Sequence, residues 1–360
     1  MGPVPQVPDR GGDSRSTFDS RSTHSAICDA RHSGAVITPM AGAGRSFGVG
    51  CVSTSAPEAW RHSATRAEGR TAPHVVGIGE LLWDILPAGE RLGGAPFNVV
   101  AHLRRFGWSA RFISAVGADE YGRRALAEVD RLGIDSSSIA INDLPTGVVR
   151  VVLDEVGAPR YAIQSPAAYE SIPAWADYGR HAPDLLVFGS LAQCFAEVRA
   201  ATRRLANIAA NALRLFDVNL RLDRWTVALV ADLLDLATVV KLNEDEWRTL
   251  SAPLDLPVHS VESFARALAD RHALRAVCVT RGAMGAGLLL GGTYVEAPAP
   301  LVRVVDTVGA GDAFAAALAH GVFQGWPASE TLAVANRLGS LVASRAGASP
   351  NWRPDELGIA

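Results

Sequence analysis

From His74 onward, short apolar runs alternate with amphipathic segments, and this limits the folds open to the chain. HVVGIGELLWDIL (residues 74–86) reads as a buried strand, and NVVAHLRRFG (98–107) as a helix closed by Gly107. ARFISAVG and YGRRALAEVDRLG repeat the pair, and LLVFGSL, LRLFDVNL, TVVKLN and RAVCVTRG continue as strands with helices near 195–212, 226–236 and 261–272 between them. Strands apolar throughout, separated by helices, belong to a mostly parallel sheet covered on both faces. Residues 148–164 break the rhythm with two alternating runs across a turn, which predicts a hairpin in a small accessory sheet.

Composition narrows the function. The 360 residues carry a formal net charge of -3, so no broad basic surface invites nucleic acid or anionic membrane. No apolar run reaches the ~20 residues of a membrane helix. Cys28, Cys51, Cys194 and Cys278 form no C-x-x-C and suggest a reducing, cytoplasmic setting. The histidines have no metal-ligand spacing. Lys241 is the sole lysine. Residues 1–72, rich in Ser, Thr, Gly and Arg without periodicity, predict a disordered or misassigned extension, with Met40 one internal alternative start. A targeting peptide is disfavoured by the acidic residues there. The folded domain is expected over 73–360.

The most informative stretch is VVDTVGAGDAFAAALAHGVF, residues 304–323. Gly309, Ala310 and Gly311 make a compact loop before an alanine-rich helix, and the free N–H groups of a helix start favour an anion such as phosphate. Asp312 is odd for simple phosphate binding, because it repels the guest. It makes sense as acceptor of the proton from a hydroxyl that attacks the phosphate. The alternative is an ordinary acidic helix start after a glycine turn. A Walker loop and an early G-x-G-x-x-G are both absent.

Four motifs in order resemble the ribokinase-like, or PfkB, carbohydrate kinases. They are Gly93-Gly94-Ala95-Pro96-Phe97-Asn98 followed by Val116-Gly117-Ala118-Asp119-Glu120-Tyr121-Gly122; Asn243-Glu244-Asp245-Glu246; Val279-Thr280-Arg281-Gly282-Ala283-Met284-Gly285; and Asp306-Thr307-Val308-Gly309-Ala310-Gly311-Asp312. The resemblance implies a three-layer α/β/α sandwich with a mostly parallel central sheet and a small β-sheet lid, drawn from about 84–96 and 146–166.

It also implies roles. Asp312 would be the base, with the Gly309, Ala310, Gly311 and Asp312 amides as an anion hole. Asp84, Gly93, Gly94 and Asn98 would bind sugar hydroxyls, with Phe97 narrowing the pocket or stacking on the sugar. Asn219, Asn243, Thr280, Gly282, Gly285, Gly311 and Asn336 would line the nucleotide site, and Arg221 would point towards the phosphates. Glu246 would hold Mg2+ through water. Asp306 and Gly347 match the monovalent-cation loop of potassium-activated members, which leaves K+ open. For single residues a bland reading stands beside each role: an acidic helix start for Glu244 and Asp245, a surface position for Asn336, and a turn aspartate for Asp84. GELLWDILPAGERLGGAPFN and FDVNLR look most like bacterial fructokinases, so the expected reaction is ATP-dependent phosphorylation of D-fructose at a primary hydroxyl. Ribose, 2-keto-3-deoxygluconate and nucleosides stay open, as does a non-catalytic binding protein on the same fold. A homodimer through the lid is a further expectation.

Overall fold

A computed structural model describes residues 72–86, 89–153, 159–173, 182–221, 224–257 and 259–359. The expected N-terminal extension, with Cys28, Met40 and Cys51, lies outside them.

Within the described residues a nine-stranded sheet has the order β13-β12-β11-β10-β9-β8-β1-β4-β5. Its strands are β1 (His74–Ile78), β4 (Ser109–Gly117), β5 (Ile139–Asn142), β8 (Leu185–Gly189), β9 (Leu213–Asp217), β10 (Val239–Asn243), β11 (Ala276–Thr280), β12 (Ala286–Leu290) and β13 (Thr293–Ala297). From β11 across to β5 every pairing is parallel, and β12 and β13 add an antiparallel margin. Side chains alternate between two cores, as a pleat requires. Leu185 and Val187 of β8 enter one, Leu186 and Phe188 the other. On the first face lie α1 (Ala95–Arg105), α2 (Glu120–Arg131), α7 (Ala310–Gln324) and α8 (Ala328–Ala343). On the second lie α3 (Ala196–Ile208), α4 (Val227–Leu234), α5 (Glu244–Ser251) and α6 (Val261–His272). This is the three-layer arrangement expected from the alternation.

The second sheet has four strands in the order β3-β2-β6-β7, namely β2 (Leu82–Leu86), β3 (Gly89–Gly93), β6 (Gly147–Leu153) and β7 (Pro159–Ile163). The hairpin expectation holds, since β6 and β7 pair antiparallel. The single strand expected over 74–86 does not. The chain leaves the main sheet at Gly79 and starts the small one at Leu82, and between them buried Glu80 accepts the Ala95 amide. Asp84 therefore stands inside a strand of the small sheet and not at the end of the first strand.

The V-G-A-D-E-Y-G motif is architecture. Asp119 caps α2 by accepting from the Gly122 amide, and it also accepts both the amide and the hydroxyl of Thr146. These bonds tie the start of α2 to the entry of β6.

Candidate active site

β1 and β8 are neighbours, and the strands that follow each in sequence run outward in opposite directions. Loops leaving their carboxyl ends must part there, which opens a crevice at the switch point of an open parallel sheet. The loops after β1, β8, β9, β10 and β11 all leave from that edge, and the start of α7 joins them through Asp312.

α7 begins without a side-chain cap, with Gly309 at its N-cap in the left-handed region at φ 79°. A β-carbon on Gly309 would lie 2.3 Å from the Ala348 carbonyl oxygen, so only glycine fits. The Ala310 amide is directed to the Thr307 carbonyl at 3.3 Å, which leaves Gly309, Gly311 and Asp312 as the freer donors of the expected anion hole. Asp312 does not turn back to its own helix. Its Oδ2 accepts from Asn98 Nδ2 of α1 at 2.8 Å. Burial, and then the charge of Asp217, push its carboxyl up to about 6, while Asn98, Lys241 and Arg221 restrain the rise.

Sequence reading missed the pair beneath this loop. Lys241 Nζ donates to both carboxylate oxygens of Asp217, at 3.0 and 3.2 Å, and both residues are buried. A β-carbon on Gly311 would be 3.2 Å from that ammonium, so the charge lies directly under the glycine loop. Burial alone would lower Lys241, but Asp217, Glu246 and Asp312 outweigh it and keep the ammonium charged. The signal was present: a lone lysine in an otherwise apolar strand has to be paired.

On the opposite wall, Asp84 of β2 faces Arg91 across the β2–β3 ladder. Burial pushes its carboxyl up to about 6, with Arg221 pulling it down and Asp306 pushing it up. Gly93 is needed where it stands, since a β-carbon there would be 2.7 Å from Asp84 Oδ2. At Gly94 a β-carbon would be 2.1 Å from the Glu80 carbonyl oxygen. Glu80 is a second residue the sequence reading passed over. Its Oε1 accepts the Ala95 amide at 3.1 Å, while its buried Oε2 and Asn98 Oδ1 have no partner. Burial raises the Glu80 carboxyl to about 7. Phe97 corrects an expectation. It is 1% exposed and packs edge-on against Phe112 in the core, where burial contributes about 1.5–3 kcal/mol, so it neither narrows the pocket nor stacks on a sugar.

The remaining expected residues surround the ends of β9, β10 and β11. Asn219 has a positive φ of 40°, and its Oδ1 accepts from Arg221, an exposed cation that bears on Glu80, Asp84, Asp217 and Asp312 together. Asn243 and Thr280 are register partners on β10 and β11. Asn243 caps α5 and forms a capping box with Glu246, whose Oε2 accepts the Asn243 amide and whose Oε1 accepts the Leu220 amide. Glu244 and Asp245 thus open a helix, as an acidic helix start would, and Glu244 pairs with Arg248 on its surface. Gly282 lies exposed just beyond β11, whereas Gly285 is buried where a β-carbon would meet the Ala297 carbonyl at 2.0 Å. Asn336 is buried rather than on the surface, and its Nδ2 donates to the Ala297 and Pro298 carbonyls.

Two ion sites can be tested against these residues. Glu246 offers each oxygen's second lone pair beside the crevice, and no group of three His, Cys, Asp or Glu side chains converges among the described residues. Such a sparse oxygen set fits magnesium, which keeps water and phosphate ligands. The loop at Asp306 and Gly347 fits a monovalent cation poorly. Asp306 accepts the Val308 amide with Oδ1 and the Gly347 amide with Oδ2, which leaves each oxygen a second lone pair, but the Arg91 guanidinium approaches Oδ2 to 3.9 Å and already sets a positive charge there. The adjoining segment is held by His102 of α1. Trp352 donates to its Nδ1, so Nε2 carries the proton and donates to the Ala348 carbonyl.

Comparison with known proteins agrees with this geometry. The model for the pfkB family carbohydrate kinases matches residues 88–355. A fructokinase of Salmonella typhimurium is 32% identical over 296 residues, covering 75% of this chain and 93% of the relative. A sugar kinase of Pyrococcus horikoshii, solved in complex with ATP, has a TM-score of 0.66 at 28% identity and covers 78% of this chain and 96% of its own. An aminoimidazole riboside kinase of Salmonella enterica, complexed with aminoimidazole riboside and an ATP analogue, gives 0.66 at 26% identity, with 79% and 98% covered. In the described residues no helix is long and apolar enough to cross a membrane. With the family match running over residues 88–355, through the loops after β8, β9, β10 and β11 and the start of α7, this chain belongs to the pfkB family of carbohydrate kinases.

Proposed function

We propose that the chain is an ATP-dependent sugar kinase that transfers the γ-phosphate to a primary hydroxyl, with D-fructose as substrate. The observation that carries the reading is Asp312. It sits at an uncapped, glycine-led helix start, yet its carboxylate is turned 2.8 Å onto Asn98 of the opposite wall, between an anion site and the sugar side. Asp312 takes the proton from the attacking hydroxyl, while the Gly309, Gly311 and Asp312 amides, backed by Lys241, stabilise the transferring phosphoryl group. Asp84, Asn98 and the Gly93-Gly94 turn hold the sugar. Arg221, Asn219, Thr280 and Gly282 attend the nucleotide. Glu246 would hold hydrated magnesium, which neutralises phosphate charge when bound.

The fructokinase relative supports fructose, and the riboside kinase neighbour supports a riboside as the second reading. A coupled ADP-release assay over fructose, ribose, 2-keto-3-deoxygluconate, fructose 6-phosphate and adenosine separates them. Preference for fructose is expected. Turnover of another member keeps the mechanism and replaces the substrate, and silence with every sugar overturns the activity.

A further inference from the structure

Arg91 joins two parts of the site that the motifs leave separate. It lies on β3, opposite Asp84, so its guanidinium and that carboxylate share one face of the small sheet. From there Nη1 reaches Asp306 Oδ2 at 3.9 Å, 215 residues further along the chain. A β-carbon on Gly347 would lie 2.3 Å from the same Nη1 and 3.4 Å from Cζ. The guanidinium thus rests in the space that Gly347 keeps clear.

Asp306 is the stitch of this loop. Its two oxygens take the amides of Val308 and Gly347, which fixes the segment leading into Gly309 against the segment that follows α8. Elsewhere in the loop Arg345 is turned away, to the Asn351 carbonyl and Glu356. Among the described residues Arg91 is therefore the cation paired with Asp306, and it is permanently charged.

We infer that Arg91 is a built-in cation: it occupies the charge position of a monovalent ion at the Asp306–Gly347 loop, so the enzyme needs no potassium, and it couples the small sheet to the anion hole. The inference rests on the kinase reading for its activity test, but not for its stability test. Arg91 is a positioning residue here, acting through Asp306 on the loop that carries Gly309.

The experiment compares wild type, Arg91→Gln and Arg91→Lys in buffers whose cation is tetramethylammonium, sodium or potassium at equal ionic strength. Melting temperature without substrate, and turnover with Mg-ATP and the sugar found active, are both read. Wild type should change less than twofold in turnover among the three and show no potassium-specific rise in melting temperature. Arg91→Gln should lose at least tenfold in turnover, regain part of it with potassium or with added guanidinium ion, and melt several degrees higher in potassium than in sodium. Arg91→Lys should stay nearer wild type. Several-fold activation of wild type by potassium, or an Arg91→Gln variant blind to every added cation in both readouts, would overturn it. A protein that phosphorylates no sugar in any buffer refutes the kinase reading, while the melting comparison still decides the role of Arg91.

Discussion

α5 and α7 start at the same edge of the sheet, and each carries an acid at its third position, Glu246 in one and Asp312 in the other. Glu246 folds back to the amide of its own N-cap and closes a capping box with Asn243. α7 has glycine at the N-cap, no side-chain cap, and an aspartate that reaches across to Asn98. A helix cannot satisfy its first N–H groups internally. α5 meets that need with its own side chains, whereas α7 has no side-chain cap. An acid at the same helix position thus closes a cap on α5, behind an asparagine N-cap, and crosses to another helix on α7, behind a glycine N-cap.

The largest effect should come from breaking the α7 side. Asp312→Asn keeps the size and the contact to Asn98 but removes the proton acceptor. Turnover should fall by roughly 10²–10⁴-fold, with nucleotide affinity by calorimetry nearly unchanged. Unchanged turnover would remove Asp312 as the base. Next is the charge beneath the loop. Lys241→Met leaves Asp217 buried without its partner and should cost about 3–5 kcal/mol in denaturant unfolding. Combining it with Asp217→Leu should return most of that stability, because an apolar pair of similar volume is tolerated. If the ammonium serves the anion hole, turnover stays low in the double variant although the fold is restored; recovery of both would make the pair purely structural.

What could be read along the chain was whatever is contiguous. The glycine loop and Asp312 span a few residues and announce themselves. Lys241 and Asp217 are separated by 24 residues, and Arg91 and Asp306 by 215, so only the folded sheet brings them together. The turn from β1 to β2 was hidden inside one apolar run, since apolarity alone does not say which sheet a strand joins. β3, at the margin of its sheet, has a single large apolar residue, and β5, at the margin of the other, is only four residues long, so neither stands out, and Phe97 shows the reverse error: a large side chain beside a motif was assigned to the pocket when the core could take it.

A smaller effect separates the two acids by pH. As the proposed base Asp312 has to be a carboxylate, and burial pushes that carboxyl up to about 6. The rate kcat/KM should therefore climb about tenfold per pH unit below 6 and level off above it. Asp84, also raised to about 6, and Glu80, at about 7, titrate nearby. Asn98→Ala distinguishes them. Loss of the hydrogen bond that holds Asp312 down raises its pKa, so the acid limb should move to higher pH. A limb that stays fixed in Asn98→Ala but vanishes in Glu80→Gln would assign it to the wrong acid here.

The smallest effect tests the α5 side. Glutamine can keep only one of the two amide contacts of Glu246, because its Nε2 meets the other N–H as a second donor, so Glu246→Gln should lose about 1 kcal/mol of stability and Glu246→Ala, which leaves both amides without that partner, about 2 kcal/mol. If Glu246 serves only its helix, the two variants rank by stability and share the wild-type magnesium requirement. If it also holds hydrated magnesium, both need several-fold more Mg2+ for half-maximal turnover, and glutamine fails although it keeps one of the two amide bonds. Stability then reports the backbone bonds and the magnesium titration reports the charge, two functions that one carboxylate can carry because each oxygen has a second lone pair.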